Sequence, residues 1–357
     1  MKNRLFIIVL LSFSFSYSQK LICELGKDVT VPFVEIYSDN GDLIDITNKN
    51  GVISEKLEGK IDSSNTQFIT FNHPFFESKE VSIRDYFKSK VFFLKRTAIE
   101  LDEVLITKKK NIKYLKLKGY FRSVQMNENK PHYFNDGIVS YYVSLKTGKI
   151  KSKVLYNRSF EDKNLKQLSG LYHFSVVGVP LFNDLLIQKN ILNKYTLNKE
   201  SDKFKSIIFD NKTKGYLNTN NDNIELQLSI NSKEDSKKMK LLGMESELDL
   251  YNISAIYDSS DKIDFDLNNL IFFKEIRGYN LRKNKQQNFS RIDATHEFFL
   301  LEKEYLENID DNNFDNNYSF IYPSRYDYSF WLKIDNKLFQ PYPTSLSKAI
   351  QQMTEIK

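Results

Sequence analysis

Ile224-Glu225-Leu226-Gln227-Leu228-Ser229-Ile230 alternates apolar and polar residues without a break. Successive side chains of a β-strand point to opposite faces of the sheet, so this pattern predicts a strand with one face on a core and the other facing water. A hairpin is predicted upstream, where 137–145 and 149–157 flank Lys146-Thr147-Gly148. Gly148 can adopt the left-handed backbone conformation of a bulged turn.

Further strands extend this pattern towards the C-terminus, at 246–257, 271–279 and 291–301. The chain is 14% aromatic, with 21 Tyr and 28 Phe, and aromatic residues fit the half-buried surface of a sheet. We therefore predict a mainly β protein whose larger part is a broad antiparallel sheet with a few covering helices.

The N-terminal part has its own set of short predicted strands. A strand at 29–37 ends in Asp39-Asn40-Gly41, a strong turn signal, and 42–47 is its return strand. Three more strands are predicted at 67–71, 90–94 and 100–107.

Five stretches of this region match a known pattern: Pro32-Phe33-Val34-Glu35-Ile36, Gly41, Asn48-Lys49-Asn50-Gly51-Val52, 68–76 and Leu101-Asp102-Glu103-Val104. Together they resemble the carboxypeptidase-regulatory-like module, a transthyretin-type β-sandwich of secreted and outer-membrane proteins of Bacteroidetes-type bacteria. Pro74-Phe75 replaces the glycine that the module has at its corner. The resemblance covers 20–107 and implies a non-catalytic module, so the residues after it would decide the function.

The first 18 residues have the composition of an export signal. Lys2 and Arg4 precede an apolar stretch at 5–15, and Ser16-Tyr17-Ser18 offers small residues for cleavage before Gln19. A membrane anchor is the alternative, but an apolar run of about 11 residues is shorter than the ~20 that span a bilayer. We predict export to the periplasm, the outer membrane or the cell surface, with no transmembrane span after cleavage.

The predicted organisation is a signal peptide at 1–18, the β-sandwich at 19–107, a basic linker leading into a strand at 108–118, and an antiparallel β-rich domain with a C-terminal amphipathic helix at 119–357. The chain has 52 Lys and Arg against 46 Asp and Glu, a net charge of +6. This mild excess does not indicate a nucleic-acid partner, which would require a clustered basic face. Cys23 is the only cysteine, so no intramolecular disulfide can form.

No motif in the sequence predicts a catalytic residue, a metal ligand or a cofactor site. His296-Glu297 is followed by Phe298-Phe299-Leu300 and lacks the second histidine of a zinc-peptidase helix. Neither a Gly-x-Ser-x-Gly elbow nor a glycine-rich phosphate loop is present. The alternative is a site assembled through the fold from scattered side chains, for which the candidates are His132, Asp136, His173, His296 and Glu297.

Two segments indicate helices. At 171–192, Asn183 can cap a helix that carries Leu185 and Leu186. This helix either completes the core against the sheet or forms a lid over an apolar pocket. Near the C-terminus, Ser345 can cap a helix with one apolar face, formed by Leu346, Ile350, Met353 and Ile356.

These observations favour an exported, non-enzymatic envelope protein. The β-sandwich would act as a docking or spacer module, and the β-rich domain would bind a hydrophobic ligand or a protein partner, by analogy with half-barrel lipid carriers. A hydrolase with a site built from distant loops is the alternative. A third option is an adhesion or assembly component that uses exposed aromatic side chains.

Overall fold

Strands dominate the computed structural model. It describes residues 19–27, 29–97, 111–165, 175–219, 223–231, 236–241, 243–259, 265–283, 288–309, 314, 322–334, 336 and 338–357. The predicted signal peptide at 1–18, the strand at 100–107 and His173 lie outside these residues. The prediction of a mainly β protein with a large antiparallel sheet and few helices is confirmed.

Two small sheets and two helices form the N-terminal module, by which we mean the described residues of 19–97. β3, β2, β4 and β5 form an antiparallel sheet in that order, and β1 pairs with β6 in parallel. The two sheets meet where Phe71 packs edge-on against Phe92, with ring centroids 5.1 Å apart. The elements are β1 Leu21–Glu24, β2 Glu35–Ser38, β3 Leu43–Ile46, α1 Lys56–Ser64, β4 Phe68–His73, β5 Phe76–Ser82, α2 Ile83–Lys88 and β6 Val91–Leu94.

A twelve-stranded antiparallel sheet contains most of the remaining described residues. Its strands are β7 Tyr114–Asn127, β8 Lys130–Ser144, β9 Ile150–Glu161, β10 Thr196–Lys199, β11 Phe204–Phe209, β12 Lys212–Thr219, β13 Asn223–Asn231, β14 Lys237–Leu241, β15 Met244–Asp258, β16 Leu270–Arg282, β17 Ser290–Leu306 and β18 Thr354–Glu355. They are ordered β10-β11-β12-β13-β15-β16-β17-β7-β8-β9-β18, with β14 paired to β15. The alternating stretch that contains Leu226 is β13. Gly148 has the expected positive φ, +69°, between β8 and β9.

Four short helical elements accompany the sheet: 3₁₀ turns at Asp184–Leu186 and Phe330–Lys333, and the helices α3 Gln188–Lys194 and α4 Thr344–Gln351. None of the helices in the described part of the chain is long and apolar enough to cross a membrane.

One face of the large sheet is covered by the segment around α3, and we call it the helix-covered face. Leu226, Leu228 and Ile253 from the sheet form one buried cluster with Leu185 and Leu186. The side chain of Asn183 accepts a hydrogen bond from the Leu185 amide, so the predicted cap is present, although it begins a 3₁₀ turn. The segment completes the core, which is the first of its two predicted roles.

The opposite face is covered by the N-terminal module, and we call it the module-covered face. Tyr120, Phe272 and Phe299 from the sheet belong to the same buried cluster as Phe71 and Phe75 from the module. The module and the sheet therefore share a hydrophobic core.

A predicted strand and the predicted C-terminal helix have other bounds in the structure. The strand expected at 29–37 begins only at Glu35, because Phe33 has a φ of +57°, which no β-strand accommodates. The C-terminal helix begins at Thr344 without a side-chain cap from Ser345 and ends at Gln351. Beyond it Thr354 pairs with Glu161 as part of β18, because the chain joins the edge of the large sheet.

The backbone of the module lies close to the backbone of α4 at Gly41, and a substitution there tests this contact. Gly41 has a φ of +83°, and a Cβ there would lie 2.9 Å from the carbonyl oxygen of Ser345. Gly26 has a similar φ, +79°, but no described atom within 4 Å of such a Cβ. We expect Gly41→Ala to lower the free energy of unfolding by about 1–3 kcal/mol more than Gly26→Ala, because it adds overpacking to the same backbone strain. Urea unfolding of both variants measures the difference, and equal losses would contradict the close approach.

Candidate functional site

A row of alternating charges crosses the module-covered face. Asp136 lies opposite both Arg158 and Arg122, and Glu297 lies opposite both Arg122 and Lys274, on the neighbouring strands β9, β8, β7, β17 and β16. Arg158 Nε donates to Asp136 at 2.9 Å, and Lys274 Nζ lies 3.4 Å from a Glu297 oxygen. Arg122 is hydrogen-bonded to Glu297. We call these five residues the charge row.

The N-terminal module adds Glu35 to the end of this row. Glu35 is fully buried and accepts hydrogen bonds from Lys274 Nζ at 2.8 Å, Asn72 Nδ2 at 2.9 Å and Thr295 Oγ1 at 3.0 Å. Both carboxylate oxygens therefore have donors, as a buried charge requires. This contact fixes the module on the sheet at a defined position.

Neighbouring charges outweigh the effect of burial on the pKa at two members of this cluster, Glu297 and Lys274. Burial alone would raise the pKa of Glu297, but the cations of Arg122 and Lys274 outweigh it, and the pKa is lowered. Burial alone would lower the pKa of Lys274, but Glu35 and Glu297 outweigh it and raise the pKa. A buried network of this kind is costly to break at one member.

Arg96 makes a second ionic contact between the module and the sheet. Its guanidinium binds Glu24 at 2.9 Å and Glu225 of β13 at 2.7 Å. Glu225 lies on β13, two strands away from Lys274 at the end of the charge row on β16.

Of the five residues considered for a loop-assembled active site, the four that the structure describes do not form a common site. Asp136 and Glu297 belong to the charge row on the module-covered face. His296 points to the opposite face, because it neighbours Glu297 on the same strand. His132 is hydrogen-bonded to Asn127. His173 lies outside the described residues.

His296 has a serine partner, but the pair lacks the geometry of a nucleophile and its base. Ser123 Oγ lies 3.0 Å from His296 Nδ1 and donates its own proton to the carbonyl oxygen of Gly178. The imidazole must then donate to Ser123, so it cannot accept the hydroxyl proton. Both residues are buried, and burial lowers the pKa of His296.

A polar cleft of about 730 Å³ lies between the N-terminal module and the module-covered face, a size typical of small-molecule sites. Its apolar lining includes Leu43 and Leu250. Its polar wall from the module includes Asp45, Thr47, Asn48, Lys49, Ser54, Lys56 and Lys60. Its polar floor from the sheet consists of Lys214, Ser229, Asp249, Asn252, Asn280, Arg291 and Asp293, and Asn129 joins it from the turn between β7 and β8.

One end of the floor carries a buried acceptor. Asn252 lies directly opposite Ser229, and Lys214 adjoins Ser229 because Gly215 is paired with Leu228. Asn252 is 3% exposed, and its Oδ1 atom accepts no hydrogen bond from any described residue. Buried amide oxygens normally have a donor, so this atom is a candidate ligand contact.

The other end of the floor is an ion cluster. Arg291 binds Asp293 at 2.6 Å and also Asp249, whose second oxygen accepts from Asn280 Nδ2 at 2.8 Å. On the wall, Lys60 Nζ donates to the carbonyl oxygen of Ile44 at 2.6 Å.

Two groups on the cleft wall have perturbed acidity. Burial raises the pKa of Asp45, and burial lowers the pKa of Lys60. Perturbed titrating groups gathered in one cleft are typical of functional sites.

Gly278 makes room for the ion cluster. A Cβ at position 278 would lie 2.0 Å from Arg291 Nη2 and 2.8 Å from Asp293 Oδ1. We expect Gly278→Ala to displace the Arg291 side chain. Since a flexible side-chain end can move, we expect little loss of stability, within about 1 kcal/mol. A crystal structure of the variant checks this, and an Arg291 guanidinium still bound to Asp293 in its original position would contradict it.

The cleft could not be predicted from the sequence, because its residues come from six strands, helix α1 and several connecting segments. The alternation around Leu228 did place Ser229 on the polar side of its strand, which was the one available signal. No group of three or more His, Cys, Asp or Glu side chains among the described residues could hold a metal ion. No protein-family model matches the chain, and no curated protein matches it either.

Proposed function

We propose that this protein is an exported, non-enzymatic binding protein of the cell envelope, and that it holds a polar ligand in the cleft between the N-terminal module and the large sheet. The observation that carries the proposal is the buried Asn252 Oδ1 atom in the floor of a cleft whose lining is largely charged and amide side chains. In such a site, a few precisely placed polar groups set the orientation of the ligand. Export rests on the composition of residues 1–18.

The packing of the helix-covered face favours a polar ligand over an acyl chain. That face was the expected place for a hydrophobic ligand, but Leu185, Leu186 and Ile191 are buried there against the sheet. An acyl chain would have to displace these side chains and give up their contacts. The cleft on the module-covered face needs no such rearrangement.

The contacts between the module and the sheet favour a binding role for the module itself. Glu35 and Arg96 both reach across to the sheet through hydrogen-bonded ion pairs. The wall of the cleft is thus held rigidly over its floor. Rigid walls lower the entropic cost of binding.

Asn252→Leu tests the proposal. Leucine has a similar volume and removes the unpaired acceptor, so we expect no loss in the free energy of unfolding, or a small gain. We expect affinity for a polar ligand to fall about tenfold, the effect of losing ~1.4 kcal/mol. The probes are neutral and acidic saccharide trimers, tripeptides and palmitate. Their binding is measured by calorimetry and, in the protein that retains Asn252, by changes in the signals of its side-chain amide.

Asn190→Ala is the control, because Asn190 lies in α3 and binds the carbonyl oxygen of Asp184 at 2.8 Å, on the opposite face of the sheet. Binding of a polar probe that depends on Asn252 and not on Asn190 supports the proposal. Binding of palmitate alone, or of no probe, would refute it.

A further inference from the structure

His73 lies at the contact between the N-terminal module and the large sheet. It ends β4 and is 1% exposed. Its ring nitrogen Nε2 lies 3.3 Å from the side-chain amide nitrogen of Gln227 on β13. Two residues away on either side of Gln227 are Glu225, which binds Arg96, and Ser229, which lines the cleft. Because alternate residues of a strand share one face, His73 contacts the sheet directly beside the cleft floor.

Two N–H groups face the ring nitrogens of His73. The backbone amide of Phe75 donates to Nδ1 at 3.2 Å, and the side-chain amide of Gln227 lies at Nε2. A neutral imidazole accepts a hydrogen bond at one of its nitrogens, whereas an imidazolium donates at both and accepts at neither. Protonation of the ring therefore breaks the hydrogen bond from Phe75 and leaves two donors facing each other in a buried place.

The charges around His73 also oppose its protonation. Burial, together with the cations of Lys274 on β16 and Arg96 after β6, holds the pKa of His73 well below its ordinary value of 6.5. The carboxylates of this contact are bound to the same two cations: Glu35 and Glu297 to Lys274, and Glu24 and Glu225 to Arg96. The ring is thus neutral at neutral pH while the module is in place.

We propose that His73 makes the closure of the cleft sensitive to acid, because protonation of its ring weakens the contact between the module and the sheet and so opens the cleft. The module supplies the wall of the cleft and the sheet supplies its floor, so an opening that separates them releases a bound ligand. This inference concerns the regulation of the proposed binding site, and it rests on the proposed function for what the opening releases.

The direction of the pH dependence follows from the two states of the ring. In the closed state the pKa of His73 is well below 6.5, and in an open state, where water reaches the ring, it returns to about 6.5. Below about pH 6.5 the open state therefore binds one proton more than the closed state. The equilibrium constant for opening should rise about tenfold for each further pH unit of acidification, until the pH reaches the pKa of the closed state.

Thiol labelling beneath the module measures this opening without any ligand. Ser254 is 6% exposed and lies directly opposite Gln227, on β15, so a reagent reaches position 254 only when the module lifts from the sheet. The chain from Gln19 carries Ser254→Cys together with Cys23→Ala. Its rate of labelling by dithiodipyridine is divided by the rate for free cysteine at the same pH. We expect this ratio to rise about tenfold or more from about pH 6 to pH 5.

Two variants of the labelled chain test the role of His73. His73→Gln removes the titrating group, so the rise per pH unit should shrink by a factor of about ten. Gln227→Glu keeps the histidine but places a carboxylate against its ring, which favours the protonated form in the closed state, so the same part of the rise should be lost. Gln188→Glu is the matched control, because it adds the same charge at the first residue of α3, on the helix-covered face, and should leave the rise unchanged.

A rise with acid that is the same in His73→Gln, Gln227→Glu and the labelled chain without them would overturn the inference. Urea unfolding shows whether each variant is folded. For a variant that does not fold, the NMR signals of the His73 ring in the unsubstituted chain decide. A ring that titrates near its ordinary value of 6.5 in the folded chain would overturn the inference, and a ring that stays neutral below this pH supports it.

The outcomes separate this inference from the proposed function. If labelling does not depend on His73 but a polar probe binds in a way that depends on Asn252, the acid-sensitive contact is wrong and the proposed function stands. If labelling rises as expected and no probe binds, the acid-sensitive contact stands and the proposed function is wrong.

Discussion

Lys274→Met is expected to lower the free energy of unfolding by about 3–5 kcal/mol, the usual cost of removing one partner from a buried ion pair. Lys274 is 2% exposed and binds Glu35 from the module and Glu297 from the neighbouring strand. Methionine fills a similar volume, so the loss in the free energy of unfolding measures the cost of leaving two carboxylates buried without this cation. Urea unfolding at neutral pH measures it.

Lys95→Met is the matched control, because it removes the same charge from an exposed pair. Lys95 is 67% exposed and binds Glu77 at 2.7 Å within the module. A surface pair of this kind contributes about 0–1 kcal/mol. Adding Glu35→Gln to Lys274→Met should recover part of the loss, since it removes one unpaired charge. A loss for Lys274→Met no larger than for Lys95→Met would contradict the role of the charge row.

Leu186→Ala is the second large effect, with an expected loss of about 2–5 kcal/mol in the free energy of unfolding. Leu186 is 0% exposed and belongs to the same buried cluster as Leu228 and Ile253. Because it completes the core, its truncation leaves a cavity. Binding of a polar ligand in the cleft should be unchanged, because the cleft lies on the other face of the sheet.

Leu192→Ala is the control for this prediction. Leu192 is 50% exposed in α3, only six residues further along the chain. Its truncation should cost little, within about 0.5 kcal/mol. If the segment were a mobile lid, truncating Leu186 would also have a small effect on unfolding and would change the binding of apolar ligands instead.

Local patterns predicted the strands β8, β9, β13 and β15 to β17 of the large sheet, but not β10 to β12, β14 or β18. The alternation from Ile224 to Ile230 and the hairpin around Gly148 depend on side-chain periodicity and turn chemistry, which are properties of neighbouring residues. The end of the C-terminal helix could not be predicted, because Thr354 leaves the helical pattern to pair with Glu161, almost two hundred residues away in the sequence.

For a related reason, the candidate site could not be predicted from the sequence. Asp136 and Glu297 stood out as titratable residues, but their partners Arg158, Arg122 and Lys274 are set by strand register. A single shift in register would move Glu297 to the other face. The same holds for Asn252, whose position opposite Ser229 in the floor of the cleft depends on the pairing of β13 with β15.

Native-state hydrogen exchange of the chain from Gln19 tests the central claim, that the N-terminal module and the large sheet form one cooperative unit that holds the cleft together. We expect amides of β4 and β16 to exchange through openings of the same free energy, because Phe71 and Phe272 share one buried cluster and Glu35 binds Lys274. Exchange of β4 through an opening that leaves β16 protected would show a module that detaches by itself, and would contradict the account.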